Sequence, residues 1–240
     1  MTGFADIHTH ILPGADDGAT NMQQAMQLLQ LAYDSGTRNI VLTPHYRGKY
    51  RCNTPQQLKS IFTQLQSQAA QRFLDLQLYL GQEIYYDTAA VEALAEGRAI
   101  SIADTQYALV EFAPKSTAQQ IQKGVDSFLY YGYRTVIAHA ERCRALRKRA
   151  VLSYVLEKGV LLQLNAHSVL GKNGWAAKRF CAQCLHNRTA SFLASDGHNT
   201  TVRMPVLDEC FNYVSKKYGM DYARRLFMDN PGVLLRNGEL

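Results

Sequence analysis

The 240-residue chain is 47% hydrophobic and 19% charged, which is enough apolar content for a sizeable core and too much for wholesale disorder. Its 26 Lys and Arg against 20 Asp and Glu leave a net charge of +6, a balance that favours phosphate groups, nucleic acid or anionic lipid headgroups without choosing among them. No apolar run approaches the ~20 residues that cross a bilayer, the first residues lack the basic and apolar regions of a secretory leader, and the five cysteines are scattered, so the expectation is a reduced, cytoplasmic protein folded as one domain over residues 1–240.

In chain order, short β-branched or apolar runs alternate with helical patterns. Strands are predicted over residues 4–8, 39–43, 76–80, 107–112, 135–139, 161–165 and 191–195. Most are apolar on both sides, as in a parallel sheet covered on both faces. Between them, Thr20 with Gln23, Thr54 with Gln57 and Thr117 with Gln120 fit capping boxes. Gly36, Gly97, Gly132, Gly159 and Gly219 fall where helices should stop. Within 54–72, Leu58, Ile61, Phe62, Leu65 and Ala69 follow the 3.6-residue period of a buried face. Seven strand–helix repeats with right-handed crossovers give an α/β fold, either an open doubly wound sheet or a closed barrel.

The chemistry stands just past the strands. Six of the seven histidines lie there: His8 and His10 after the first strand, His45 after the second, His139 after the fifth, His167 after the sixth and His198 after the seventh. Asp16-Asp17-Gly18, Glu83, Glu111 and Asp196 join them. In a barrel those ends converge on one mouth. Clustered carboxylates repel one another unless cations neutralise them, and mixed N/O donors suit zinc, manganese or iron rather than a thiolate site. Residues i and i+2 of a strand share a face, so His8 and His10 can chelate one ion, and Asp196 with His198 repeats that spacing. Such a constellation reads as a multinuclear metal site. The ordinary alternative for any one member is a hydrogen-bonded group behind a ligand, and His167 is the first candidate for that.

The order His8-Thr9-His10, Asp16-Asp17-Gly18, Thr43-Pro44-His45, Glu83, Glu111, His139-Ala140-Glu141-Arg142 and Ser195-Asp196-Gly197-His198 resembles the PHP (polymerase and histidinol phosphatase) superfamily. Asp6 to Gly14, Gly81-Gln82-Glu83-Ile84-Tyr85-Tyr86 and Asp229-Asn230-Pro231 are similar to its capsule and exopolysaccharide branch, the CpsB/CapC-type metal-dependent protein-tyrosine phosphatases. The resemblance implies a distorted (β/α)7 TIM-like barrel with three divalent ions, manganese first, with iron, zinc, magnesium and cobalt as alternatives. By position, His8, His10, Glu83 and Asp196 would hold the first ion. Glu83 would bridge to a second, completed by Glu111 and His139, while Asp17, His45 and His198 would hold the third. Arg142 and Arg203 match family arginines, and a guanidinium fork suits the equatorial oxygens of a phosphoryl group attacked by metal-activated hydroxide. The implied substrate is a phosphotyrosine protein, the tyrosine-rich tail of a bacterial autokinase, with the membrane approached only through that partner.

Three readings compete. A small-molecule phosphomonoesterase acting on something like histidinol phosphate would use the same site, and a nucleic-acid-processing PHP domain would use the basic run 142–149. The aromatics, however, are not interleaved with the basic residues as in single-strand platforms. Cys143 to Arg149 formally satisfies the Cys-x5-Arg pattern of thiol phosphatases, but it lacks glycine and reads as a basic helix start, so the match is treated as accidental. That run is either a solvated helix face or a landing strip for an acidic tail. The general acid for the leaving group is unassigned.

Overall fold

The computed structural model describes residues 3–48, 50 and 53–240; of the five cysteines, Cys52 lies outside them. Each predicted strand is present and all pair in parallel. β1 is Phe4–Thr9. The second strand is split into β2 (Thr37–Leu42) and β3 (His45–Tyr46), and the third into β4 (Gln77–Leu80) and β5 (Glu83–Tyr85). β6 (Tyr107–Glu111), β7 (Arg134–Ile137), β8 (Leu161–Asn165) and β9 (Phe192–Ala194) follow. The ladder therefore comes in two pieces, β1-β2-β4 and β3-β5-β6-β7-β8-β9. The break falls at Thr43-Pro44 because proline has no N–H to give the ladder. Thr43 N–H still reaches Thr9 O at 2.8 Å, and pairing resumes with Glu83 N–H on Pro44 O at 3.2 Å. At the other edge, Asp196 N–H donates to His8 O (2.9 Å) and His10 N–H to Gly197 O (2.8 Å). These bonds join the last strand to the first, and the curled sheet is the distorted seven-stranded barrel expected.

The doubly apolar strands have the two faces their composition demands. Ile7, Val41, Leu109, Val136, Leu161 and Phe192 fill the barrel interior. In β2 and β6–β9 their neighbours one residue along point outward, as a period of two requires, whereas β1 breaks its register between Asp6 and Thr9. Ile40 and Leu42 meet Leu28 and Leu29 of α1 (Met22–Asp34) and Leu58 and Leu65 of α2 (Pro55–Arg72). Val110, Ile137, Leu162 and Leu193 meet Phe128 of α4 (Ala118–Tyr130), Val155 of α5 (Arg149–Glu157) and Phe180 of α7 (Trp175–His186). Each fully buried side chain of this size contributes roughly 1.5–3 kcal/mol. The remaining helices are α3 (Thr88–Ala95), α6 (Ala166–Leu170), α8 (Asp208–Tyr218), α9 (Met220–Arg224) and α10 (Asn230–Leu235). A π-helical turn over Arg225–Asp229 joins the last two.

Thr54 and Thr117 form the expected capping boxes. Thr20 does not. Asn21 caps α1 instead, its side chain accepting from Gln24 N–H at 2.9 Å, so the cap is shifted by one residue and the Gln24 side chain accepts from Thr20 N–H. The basic run is not yet helix either: residues 140–142 and 144–147 are 3₁₀ turns, and α5 starts only at Arg149.

The chain's last residues close the end of the barrel where strands begin. Tyr107 Oη donates to Gly238 O at 2.5 Å and Arg134 Nη2 to Leu240 O at 2.6 Å. That leaves the opposite end, where the strands finish, for chemistry.

Candidate metal centre

β1 delivers His8 and His10 to the mouth, both fully buried. His8 Nδ1 lies 3.0 Å from Gln163 Oε1. That oxygen also accepts from His139 N–H at 2.7 Å, which fixes the amide's orientation and makes His8 Nδ1 the donor. His10 Nδ1 is bound to Asp16 Oδ2 at 2.6 Å. Both imidazoles therefore turn Nε2 lone pairs toward one another, only 3.2 Å apart. Such a contact needs positive charge between the rings. A proton can serve: burial alone would keep His10 low, but the Asp16 carboxylate outweighs it and pushes His10 up to about 10. A metal ion serves as well.

Carboxylates surround this pair. Asp196 Oδ1 lies 3.6 Å from His8 Nε2 and 3.4 Å from His10 Nε2. Glu83, at the start of β5, stands at the centre. Its Oε1 is 3.5 Å from His8 and 2.7 Å from His139, and its Oε2 is 3.5 Å from His10 and 2.7 Å from His45. Burial works against the Glu83 charge, but these imidazoles hold its carboxyl well below the usual range. Glu111 Oε1 approaches His139 at 3.8 Å. Asp17 Oδ1 is 3.2 Å from His45 Nε2 and 3.7 Å from His198 Nε2.

Four groups of donor atoms are close enough to share an ion: His8, His10 and Asp196; His8, Glu83 and His139; His45, Glu83 and Glu111; and His10, Asp17, His45 and His198. All nine metal-ligand candidates thus meet at one mouth, with His8, His10 and His45 each reaching into one group more than expected. His45 Nδ1, Glu83 Oε2 and His198 Nε2 are buried without an aligned hydrogen bond. Orphaned donor atoms of this kind, one on a carboxylate and two on imidazoles, among the four carboxylates and five imidazoles of these groups, fit divalent cations.

Backbone geometry serves the same convergence. His139 (φ 31°) and Asp196 (φ 54°) both sit in the left-handed region, an uncommon and costly place for such residues. There each chain turns sharply off its strand at the mouth. The Asp16–Gly18 turn lies so close beneath β1 that a Cβ on Gly18 would collide with the His10 carbonyl. Asp16 then braces two ligand candidates at once, accepting from His45 N–H at 2.9 Å while holding His10.

Arg142 and Arg203 arrive from different loops and meet on one carboxylate. Arg142 Nη2 binds Asp196 Oδ2 at 2.9 Å and Arg203 Nη2 binds Oδ1 at 2.6 Å. Asn199 Oδ1 folds the 199–203 turn back by accepting from the N–H groups of Thr201, Val202 and Arg203. Both guanidinium groups stay about one-third exposed at the rim.

Sequence reasoning left four partners unassigned. Gln163 orients His8 and His139, and passes its amide to Asn165 Oδ1 at 2.8 Å. Asn165 Nδ2 continues to Asp196 Oδ2 at 2.8 Å. Asp16 had appeared only as part of a motif. Arg47 lies 3.1 Å from Glu111 Oε2 and 3.2 Å from His45 Nε2. The inward position of Gln163 in an apolar strand was the one available signal. His167 belongs to none of the four groups; it sits buried on α6 with Nε2 unpartnered. Cys143 is buried and burial pushes its thiol up, which is wrong for a nucleophile.

Against known proteins, the family described as capsular polysaccharide synthesis, CpsB/CapC, matches residues 4–236. The tyrosine-protein phosphatase CpsB of Streptococcus pneumoniae is 33% identical over 94% of this chain and 96% of its own. The tyrosine-protein phosphatase YwqE of Bacillus subtilis strain 168 is 31% identical over 97% of this chain and 91% of its own. A crystal structure from work on YwqE and S. pneumoniae CpsB, described as unique metal-dependent tyrosine phosphatases, superposes with a TM-score of 0.90 at 31% identity, covering 98% of this chain and 96% of that one. With the barrel, the mouth and nearly the whole length in agreement, the chain belongs to the CpsB/CapC family.

Proposed function

We propose that this chain, as one catalytic unit over residues 1–240, is a metal-dependent protein-tyrosine phosphatase that hydrolyses phosphotyrosine on a protein controlling capsule or exopolysaccharide synthesis, its substrate the tyrosine-rich tail of an autokinase. One observation carries the reading most: His8 and His10, each locked through Nδ1, aim Nε2 lone pairs at a shared point ringed by Glu83 and Asp196. We assign His8, His10, Glu83 and Asp196 to one ion, Glu83, Glu111 and His139 to a second, and Asp17, His45 and His198 to a third, with manganese as the expected metal. When bound, the cations supply Lewis-acid neutralisation of phosphoryl oxygens and a water acidic enough to ionise near neutral pH. Gln163 and Asp16 hold the imidazole tautomers so that Nε2 stays free to coordinate. Arg142 and Arg203, partly exposed at the rim, take the phosphoryl oxygens in their forks on this reading and stabilise charge as it spreads in transfer. A tyrosine leaving group, with pKa ≈ 10, departs more readily than an alkoxide and asks less of a general acid.

The test compares turnover of phosphotyrosine peptides with that of histidinol phosphate, before and after chelation. Activity on the peptides that EDTA removes and Mn²⁺ restores is expected. Full activity in excess EDTA overturns the metal reading, and a clear preference for the small phosphoester overturns the protein-phosphatase reading.

A further inference from the structure

The chain's sole tryptophan, Trp175, is on the surface and 72% exposed. It opens α7, whose first turn carries no acidic residue and no side-chain cap. The Arg179 guanidinium lies 5.3 Å from its ring centroid. Together with Arg147, Ala176, Phe180 and Gln183 these residues line a groove of about 300 Å³. Arg144, Arg147, Lys148, Arg149 and Arg179 are all exposed, and the ion pairs formed among the described residues leave every one of them out.

This groove is tied to the mouth through the 140–142 turn. Arg147 Nη2 donates to Glu141 O at 3.4 Å, the residue just before Arg142, and Arg142 in turn binds Asp196. α7 packs on the same 140–142 turn. We propose that the Trp175–Arg179–Arg147 groove binds the acidic flank of the protein segment whose phosphotyrosine enters the mouth. The proposal rests on the phosphatase reading above and adds a second contact to it. The unpaired guanidinium groups supply donors for carboxylates, and the indole supplies an apolar platform that loses little freedom on binding. Local positive charge unmatched by a carboxylate among the described residues calls for an anionic partner. A lone aromatic ring, with no others spaced along the basic run, suits a short peptide better than a stacked nucleic acid strand.

The experiment uses the manganese-loaded protein, its W175A, R147E and R179E variants, and two substrates: p-nitrophenyl phosphate and a phosphotyrosine peptide with Asp and Glu flanking the target. The expected result is KM for the acidic peptide raised about tenfold in the variants, with kcat held and p-nitrophenyl phosphate turnover unchanged. An unchanged KM, or equal losses on both substrates, overturns the proposal. Occupancy is also read without turnover, from fluorescence of Trp175 titrated with the same peptide carrying a non-hydrolysable phosphonate. Saturable quenching that R179E abolishes supports the groove even where the phosphatase reading fails. Quenching by a single-stranded oligonucleotide or anionic vesicles, but not by the peptide, overturns the assigned partner.

Discussion

At the scale of single residues, protonation and pairing decide what each group can do. Arg142 and Arg203 share the Asp196 carboxylate, so each is held beside the candidate metal ligands by something other than substrate. On the proposed role, Arg142→Ala should cost about 10²-fold or more in kcat/KM on phosphotyrosine, with only a small shift in thermal midpoint. Equal loss of stability and turnover would make Arg142 structural. Cys143 is the converse case. Its thiol is buried and held protonated, so Cys143→Ala should keep most turnover, and its complete inactivation would revive a thiolate mechanism. Asp16 acts through His10. Asp16→Asn weakens the bond that commits His10 Nδ1, and manganese affinity, read by calorimetry, should fall about 10–100-fold while kcat at saturating metal falls less.

At the scale of elements, the sequence was legible where a local rule has no rival. The boxes at Thr54 and Thr117 formed as spelled because Gln57 and Gln120 can reach back to satisfy the capping residue's N–H. Thr117→Ala should lower stability by about 1 kcal/mol in urea denaturation and leave turnover alone, since the Thr117 side chain pairs with Gln120 and not with a metal-ligand candidate. Asn21 displaced Thr20 because two adjacent residues could both cap α1 and only packing of Ala25, Leu28, Leu29 and Ala32 chooses the register. The strand breaks at Pro44 and Gly81 were unreadable for a similar reason. A proline marks a missing donor, but which neighbour the strand pairs with afterwards is a tertiary matter.

At the scale of the whole molecule, the carboxylates of Asp16, Asp17, Glu83, Glu111 and Asp196 converge at one mouth, and their mutual repulsion is a standing cost that cations relieve. Chelation should therefore lower the thermal midpoint reversibly. A bound ion at about 100 times its dissociation constant contributes about 2.7 kcal/mol, and a midpoint that ignores EDTA would argue that protons alone hold the cluster. Composition and periodicity by themselves determined the alternation of strands and helices, and the placement of histidines and acids just past the strands, because apolar period and strand-end chemistry are written locally. Arg142 and Arg203 were named by the family resemblance rather than by pattern. Only the tertiary structure decided that both arginines meet on Asp196, that Gln163 and Asp16 set the tautomers of His8 and His10, and that the last strand closes on the first through His8 and Gly197. Those contacts join residues from 6 to 188 positions apart, and their energies depend on distance and direction in space, which no local pattern encodes.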